Sequence, residues 1–592
     1  MSDIGPPIVI ARSAATNSTE RTLSGPRLRR YARNDIRCKA LVTGPLLTLL
    51  SAPAIAAYTA AGYWGDETIY RLTARHARTT PQAWAVRDRH RRLSYAELVA
   101  AADQLAANLA GHGIRTGNRI AVWLPSRVET AIALLACSRN GYVCCPSLHR
   151  GHTVGEIVAL VDRMRAAALI AQPGYGVDVD RQNVFAELAE RDFLRCAWRV
   201  GPAEATPFGE LTGPACEIEA SNDANQVMYL PFTSGTTGEP KGVMHSDNTL
   251  LATARMMMRD WRLERAVLYT LSPLSHNLGL GALVTALAGG GELVVHDPTR
   301  GESLLERLTE TGAEFLFGVP THAIDLLTEV RARGARHVGR VRGFRISGAP
   351  APATVVTELM QYGIMPQSGY GMTETCSHQY SLPGDPPERI VETCGRACAG
   401  YEIRTWRPDD SDIEAAPGET GEIGGRGASL MLGYFDDQNA TEAAFNAQGW
   451  FMTGDLGWID EAGYLRLTGR KKDVIIRGGR NINPARIEAL ALRHAAIEKA
   501  AAFPVGDPRL GERVCLAVVV RRGMRFDPEA ILAHLDTLGL SRYDMPEFIL
   551  SLSEMPLTAS GKLLKRELVQ RVAEGQLRPV PMRLRSSSAS RS

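Results

Sequence analysis

The chain has 592 residues, too many for one ordinary core, so two or more domains are expected. Hydrophobic residues make up 45% and charged residues 22%, the usage of a globular protein rather than a disordered or fibrous chain. A net charge of +3 offers no basic excess for nucleic acid, and the ten cysteines form no C-x-x-C pair that reads as a zinc or redox motif, so a reducing compartment is expected.

Residues 1–62 read as a poorly ordered basic arm followed by an apolar segment. Seven arginines and Lys39 fall within the first 39 residues against Asp3, Glu20 and Asp35, and no charge occurs from Ala40 to Gly62. That pattern imitates a secretory signal or a short membrane span. Pro45, Pro53 and the many small residues argue instead for a helix packed on the first domain. A cytoplasmic protein is expected, with membrane association possible only through residues 40–62.

From Tyr63 onward helical and strand patterns alternate, which predicts an α/β fold. Ser94 and Glu97 form a capping-box pattern ahead of Leu98, Ala102, Leu105 and Leu109 at helical spacing. The apolar run from Ile120 to Leu124 suits a buried parallel strand. Ser126 and Glu129 repeat the capping pattern before an Ala/Leu-rich helix that runs to Ser138, and Val143 to Cys145 completes a βαβ unit. Further short apolar runs occur at 227–230, 293–295, 315–317 and 344–346. Asp455–Trp458 and Gly463–Leu467 read as a hairpin, Leu516–Val520 as a strand and Pro528–Leu535 as a helix. The basic stretch Arg470–Asp473 suits a hinge, with a domain over 63–470 before it, a second over 471–575 after it, and a disordered tail over 576–592.

The sharpest chemical signal is the run from Thr233 through Ser234, Gly235, Thr236, Thr237, Gly238, Glu239 and Pro240 to Lys241 and Gly242. Its three glycines let the backbone turn tightly and aim N–H groups at an anion. Four hydroxyl side chains and one lysine add donors and positive charge. A triphosphate requires that combination, and the pattern is not the P-loop G-x-x-x-x-G-K-[ST].

This segment resembles the phosphate loop of the acyl-adenylate-forming superfamily, which holds acyl-CoA synthetases, luciferases and the adenylation domains of peptide synthetases. Five further motifs match in the same order across residues 63–575. Gln367–Glu374, which includes Gly369, Tyr370, Gly371, Met372 and Thr373, resembles the adenine and acyl-pocket turn. Thr453–Asp455 resembles the ribose motif, Thr468–Asp473 the hinge, Gly478–Pro484 the loop beside the thiol tunnel, and Pro556–Lys562 the catalytic-lysine motif. One departure is Arg486, where the family usually has an acidic residue.

The resemblance implies a large N-terminal domain of α/β subdomains with a distorted β-barrel, and a small mobile α+β C-terminal domain. It implies an AMP-forming acid–thiol ligase that uses ATP, Mg²⁺ and coenzyme A. Lys562 would bridge the carboxylate and α-phosphate oxygens, and Thr373 would donate to the α-phosphate. Glu374 would hold Mg²⁺, an ion that prefers oxygen ligands. Tyr370 would stack on adenine, with Gly348, Ala349 and Pro350 beside it. Asp455 and Arg470 would bind ribose, Lys472 would be the hinge pivot, and Gly479 would open the thiol path. His276 matches the position beside the substrate carboxylate, although a lone histidine is by default structural. Nothing in these motifs supplies an acid to hold an amino group, so the resemblance points to a medium-chain, alicyclic or other fatty acid. A ligase that loads a carrier protein and an inactive nucleotide-binding protein stay open as alternatives, and oligomeric state is not legible.

Overall fold

The computed structural model describes residues 51–201, 208, 218–233, 240–299, 301–348, 351–478, 480–557 and 563–582, the side chains of Arg480 and Asn481 excepted. The chain divides into two compact units, residues 1–403 with 424–452, and residues 404–423 with 453–592. The 470/471 boundary expected from composition therefore falls inside the second unit.

Two large sheets build the first unit. Across the first, the strand order is Arg396–Ala397, Cys376–Tyr380, Met365–Met372, Gly343–Ile346, Phe315–Gly318, Val267–Thr270, Glu292–Val295, Trp84–Arg87 and Arg92–Ser94. Its central six-strand block, from Met365–Met372 to Trp84–Arg87, is parallel throughout. The second sheet runs Gly433–Tyr434, Lys241–Ser246, Val227–Tyr229, Val143–Cys145, Arg119–Trp123, Ala168–Ala171 and Cys196–Arg199, with Phe232–Thr233 pairing off Lys241–Ser246. Strands such as Ala168–Ala171 and Glu292–Val295 are buried along their whole length. Parallel strands covered on both faces read as continuous apolar runs for this reason, and those runs made them visible in the sequence.

The helix Tyr95–Gly111 is capped as its sequence predicts. Ser94 Oγ accepts from Glu97 N at 3.3 Å, and Glu97 Oε2 accepts from Ser94 N at 2.8 Å. Leu98, Ala102, Leu105 and Leu109 form its buried stripe. The second expected capping box does not form. The helix Val128–Asn140 starts with Arg127 as its cap residue and no side-chain cap bond. Ser126 Oγ accepts instead from Leu274 N at 3.0 Å. Glu129 is taken by Arg127 Nε at 2.7 Å and Arg91 Nη2 at 2.6 Å, because a buried carboxylate gains more from two guanidinium groups than from one backbone N–H.

The apolar N-terminal segment is ordered over Ala52–Ala60, where a helix capped by Ser51 buries Ala54 and Tyr58. The Tyr58 ring lies 5.4 Å from Trp64, and Trp64 Nε1 donates to the Ala428 carbonyl at 2.8 Å. Disorder expected through residue 62 gives way here because two large aromatic side chains have apolar area to bury. No helix among the described residues is long and apolar enough to cross a membrane.

In the second unit, Gly511–Val520 is the spine of a mixed sheet. Ile497–Asp507 pairs with it antiparallel and Phe548–Leu552 parallel, and Ile475–Arg477 continues to Arg480–Ile482. Helices Pro484–Ala491, Pro528–Thr537 and Lys565–Ala573 belong to the same unit, and Ile475, Ile487, Leu516 and Leu532 share a core there. The expected hairpin is present, with Asp455 paired to Arg470 and Ile459 to Leu465. Each sheet runs between two distinct edge strands, so no distorted barrel closes among the described residues.

Candidate active site

The phosphate-loop candidate is bracketed by two strands. Phe232 pairs with Gly242 and Thr233 with Lys241, so both ends of the segment 234–239 are pinned by one short antiparallel ladder. Ser147 Oγ accepts from Phe232 N at 2.7 Å, and Arg163 donates to the Pro240 carbonyl. Ser234, Gly235, Thr236, Thr237 and Gly238 lie outside the described residues, as do Ala349, Pro350, Gly479 and Lys562.

Lys241 does not stand alone. Its Nζ sits 4.7 Å from the centre of the Tyr434 ring, a cation–π arrangement, and Tyr434 Oη donates to Glu374 Oε1 at 3.0 Å. Burial, then the charge of Glu374, raises the Tyr434 hydroxyl far above the ordinary tyrosine range, so it stays a donor. Tyr434 reaches this position because Gly433–Tyr434 pairs with Lys241–Ser246, Tyr434 opposite Val243. One aromatic ring thus stands between an ammonium at the exit of the loop and a carboxylate on another strand's turn.

That turn, Thr373–Thr375, joins Met365–Met372 to Cys376–Tyr380 and is held from several sides. Met431 N donates to the Glu374 carbonyl at 2.7 Å and Ser429 Oγ to the Thr375 carbonyl at 2.9 Å. His245 Nε2 donates to the Thr373 carbonyl at 2.7 Å, and burial pushes this imidazole down to about 4, which keeps it neutral. Cys376 closes the turn at φ +54°. Gly371 is required, since a Cβ there would lie 2.0 Å from the Cys376 carbonyl oxygen. Gly348, two residues past the neighbouring strand Gly343–Ile346, has φ +91°.

Tyr370 is buried, with its ring edge-on to His378 at 5.5 Å, and Met372 N donates to Thr375 Oγ1 at 3.3 Å. His276 immediately precedes the helix Asn277–Gly289 and is one of three stacked imidazoles. Its ring lies 4.0 Å from His149 at 17°, and His149 lies 5.4 Å from His152. Burial first, then the charges His276 and His152 would carry, pushes His149 down to about 2.

In the second unit, Arg470 Nε lies 3.1 Å from Asp455 Oδ1 across the hairpin. Gly454 N donates to Glu422 Oε1 at 3.2 Å, and Lys471 Nζ donates to Glu422 Oε2 at 2.7 Å. Burial, then the charge of Arg470, lowers the pKa of Lys472. Glu488, beside the unusual Arg486, pairs with Lys565 at 2.6 Å and accepts from Ala502 N at 2.7 Å.

The first unit therefore brings together Thr233, Lys241, Thr373 and Glu374 of the expected residues, and the second unit joins Asp455 to Arg470. Tyr434 and His245 are the members that sequence reasoning missed. His245 carries a faint signal, four residues after Lys241 on the same strand. Tyr434 carries almost none, because its two-residue strand is defined only by a long-range pairing. A cation and a carboxylate gathered on one ring, with the cation on the strand that leaves the phosphate-loop candidate, suit a triphosphate with a divalent ion, since Glu374 offers the hard oxygen donor such an ion takes.

The AMP-binding enzyme family model matches residues 73–435, and that of the AMP-binding enzyme C-terminal domain matches residues 486–562. The chain is 32% identical over 538 residues to the medium-chain fatty-acid–CoA ligase of Escherichia coli (strain K12), covering 88% of this chain and 94% of that protein. It is 31% identical over 509 residues to a feruloyl-CoA synthase of Amycolatopsis sp, covering 84% and 97%. ATP-bound MatB from Rhodopseudomonas palustris superposes with a TM-score of 0.75 at 26% identity, covering 85% of this chain and 99% of that one. The o-succinylbenzoate CoA synthetase (MenE) of Bacillus subtilis, bound to its acyl-adenylate, superposes at 0.73 and 25% identity, covering 85% and 98%.

The chain belongs to the AMP-binding enzyme family. Within it the protein is an acid–thiol ligase, which uses ATP to convert a carboxylic acid to an acyl-adenylate and then passes the acyl group to a thiol with release of AMP.

Proposed function

We propose that this ligase activates an acid with a medium-chain or alicyclic carbon frame, with coenzyme A as the thiol and Mg²⁺ accompanying ATP. The observation that carries the reading is the chain of contacts from Lys241 through Tyr434 to Glu374 at the ends of the phosphate-loop candidate. Two anions must meet in the first step, so positioning and charge neutralisation matter more than a general base. Lys241 supplies positive charge beside the loop, and the Thr373 hydroxyl offers a donor for the α-phosphate. Glu374 would hold the Mg²⁺, which neutralises phosphate charge when bound. The acid's carboxylate oxygen attacks the α-phosphorus and pyrophosphate leaves. The thiol sulfur then attacks the acyl carbon, loses its proton, and AMP leaves.

Lys562 is assigned the contact with the carboxylate and α-phosphate oxygens, and Asp455 with Arg470 the ribose hydroxyls. Lys472 is assigned the pivot of a mobile C-terminal domain and Gly479 the path of the thiol. The support is the ordered motif match together with the Asp455–Arg470 pair. Membership of the family, with the E. coli relative a medium-chain fatty-acid ligase, supports the choice of frame.

Pyrophosphate release over a panel of carboxylic acids, with coenzyme A and a phosphopantetheinylated carrier protein as rival acceptors, tests the reading. Acid-dependent pyrophosphate release and an acyl-CoA product are expected. Acylation of the carrier alone, or ATP binding with no release for any acid, would overturn it. Lys562→Ala should lose acyl-adenylate formation and keep thioester formation from supplied acyl-adenylate.

A further inference from the structure

The loop that joins the strand Val143–Cys145 to the helix Val154–Met164 reaches two parts of the candidate site at once. Ser147 Oγ accepts from Phe232 N at 2.7 Å, on the strand that enters the phosphate-loop candidate. Two residues later, His149 Nδ1 lies 2.9 Å from Ser275 Oγ, and the His149 ring stacks on His276 at 4.0 Å and 17°. Ser275 and His276 lie beyond the end of Val267–Thr270, a strand of the other large sheet. That is the carboxyl edge, where open parallel sheets take their ligands. The next residue, Asn277, hydrogen-bonds the thiol of Cys376 through its side chain, two residues past Glu374. One loop therefore touches the entry of the phosphate-loop candidate and the residue beside the Thr373–Glu374 turn's neighbour.

His149 is itself fixed on every side. Its N–H donates to His152 Nδ1 at 3.0 Å, and its carbonyl accepts from Trp123 Nε1 and from His152 N, both at 3.2 Å. Burial keeps its imidazole neutral, so it offers His276 a flat face and Ser275 one hydrogen bond rather than a charge. His276 is half-buried at the head of the helix Asn277–Gly289, which leaves part of its ring open to a ligand. His149 is the rigid member of the stack and His276 the accessible one.

We propose that His149 is a positioning residue for the acid: it holds His276 beside the carboxylate being activated, while Ser147 on the same loop holds the entry of the phosphate loop, so that this loop sets the spacing of the two reactants. The inference rests on the ligase reading above and adds to it a residue outside every motif that reading used. His149 itself neither touches substrate nor moves a proton. A fixed spacer matters because a displacement of about 1 Å between reacting groups costs on the order of 100-fold in rate.

Steady-state pyrophosphate release by the full chain, with ATP and the best acid of the panel varied in turn, tests the inference. His149→Ala should lower kcat/KM for the acid by about 10- to 100-fold, with a raised KM, and leave KM for ATP within about twofold. Ser147→Ala should do the converse, raising KM for ATP and sparing that for the acid. His149→Phe keeps the flat face and should recover most of the loss. In a His276→Ala background, His149→Ala should add nothing further, since its effect runs through that ring. Equal changes in both KM values, no change in either, a His149→Phe no better than His149→Ala, or a full effect of His149→Ala without His276 overturns the inference while the ligase reading stands. A wild type that releases no pyrophosphate with any acid overturns both. If His149→Ala does not fold, His149→Asn, which keeps a partner for Ser275 and loses the face, takes its place in every comparison.

Discussion

Two charged regions of the first unit face opposite demands. At the start of the helix Val128–Asn140, buried Arg127, Asp88 and Glu129 pack with the half-buried Arg91, Glu129 taking two guanidinium groups and Asp88 accepting from Val128 N at 3.1 Å. At the loop exit, the Tyr434 ring takes the Lys241 ammonium on its face and donates its hydroxyl to Glu374. The first cluster spends its charges on each other and holds the fold. The second gathers a cation and an anion on one ring at the end of the phosphate-loop candidate, where a charged ligand would be met.

Mutation breaks this contrast most sharply at the buried cluster. Arg127→Ala should destabilise the protein by about 3 kcal/mol, because it removes the bidentate partner of the buried Glu129 and leaves Arg91 to hold that carboxylate. The denaturant midpoint should fall steeply, while KM for ATP in the surviving folded fraction stays unchanged. Glu374→Gln should do the reverse. It keeps the hydrogen bond to Tyr434 and the turn, so the midpoint should hold, while the proposed Mg²⁺-holding role predicts a fall in kcat of about 10²–10³-fold.

A pH series sharpens the comparison further. His245, pushed down to about 4 by burial, is less protonated folded than unfolded, so stability falls as pH drops from 6.5 to 4, by on the order of 3 kcal/mol. Asp247 is raised to about 7 by burial and binds its proton more tightly when folded, so its contribution falls as pH rises from 3.8 to 7. The two slopes oppose each other. His245→Asn should therefore make the midpoint rise toward acid, and Asp247→Asn should make it fall toward acid. The smallest effect belongs to Tyr434→Phe, which removes one hydroxyl and keeps the ring beneath Lys241. A roughly tenfold loss of kcat/KM at unchanged stability is expected, the worth of one hydrogen bond to a charged group.

Local patterns carried much of the fold into view. The runs around Val122, Val294 and Phe317 were readable as strands because helices cover both faces, and Ser94 with Glu97 was readable because a capping box needs only its own four residues. Ser126 and Glu129 show the same pattern with a different outcome, since Arg91 arrives from the other side of a turn 38 residues away. No local window contains that arginine. The site divides along the same line. Lys241, Thr373 and Glu374 sit in recognisable motifs, whereas Tyr434 joins them only through a two-residue strand.

Cys376, two residues past Glu374, has a consequence for a protein that makes mixed anhydrides. Burial pushes its thiol up to about 12, and Cys398 nearby is raised to about the same value. At neutral pH both sulfurs stay protonated and weakly nucleophilic. On the proposed placement of the phosphates at the Thr373–Glu374 turn, these sulfurs would not intercept the activated acyl group before the intended acceptor arrives.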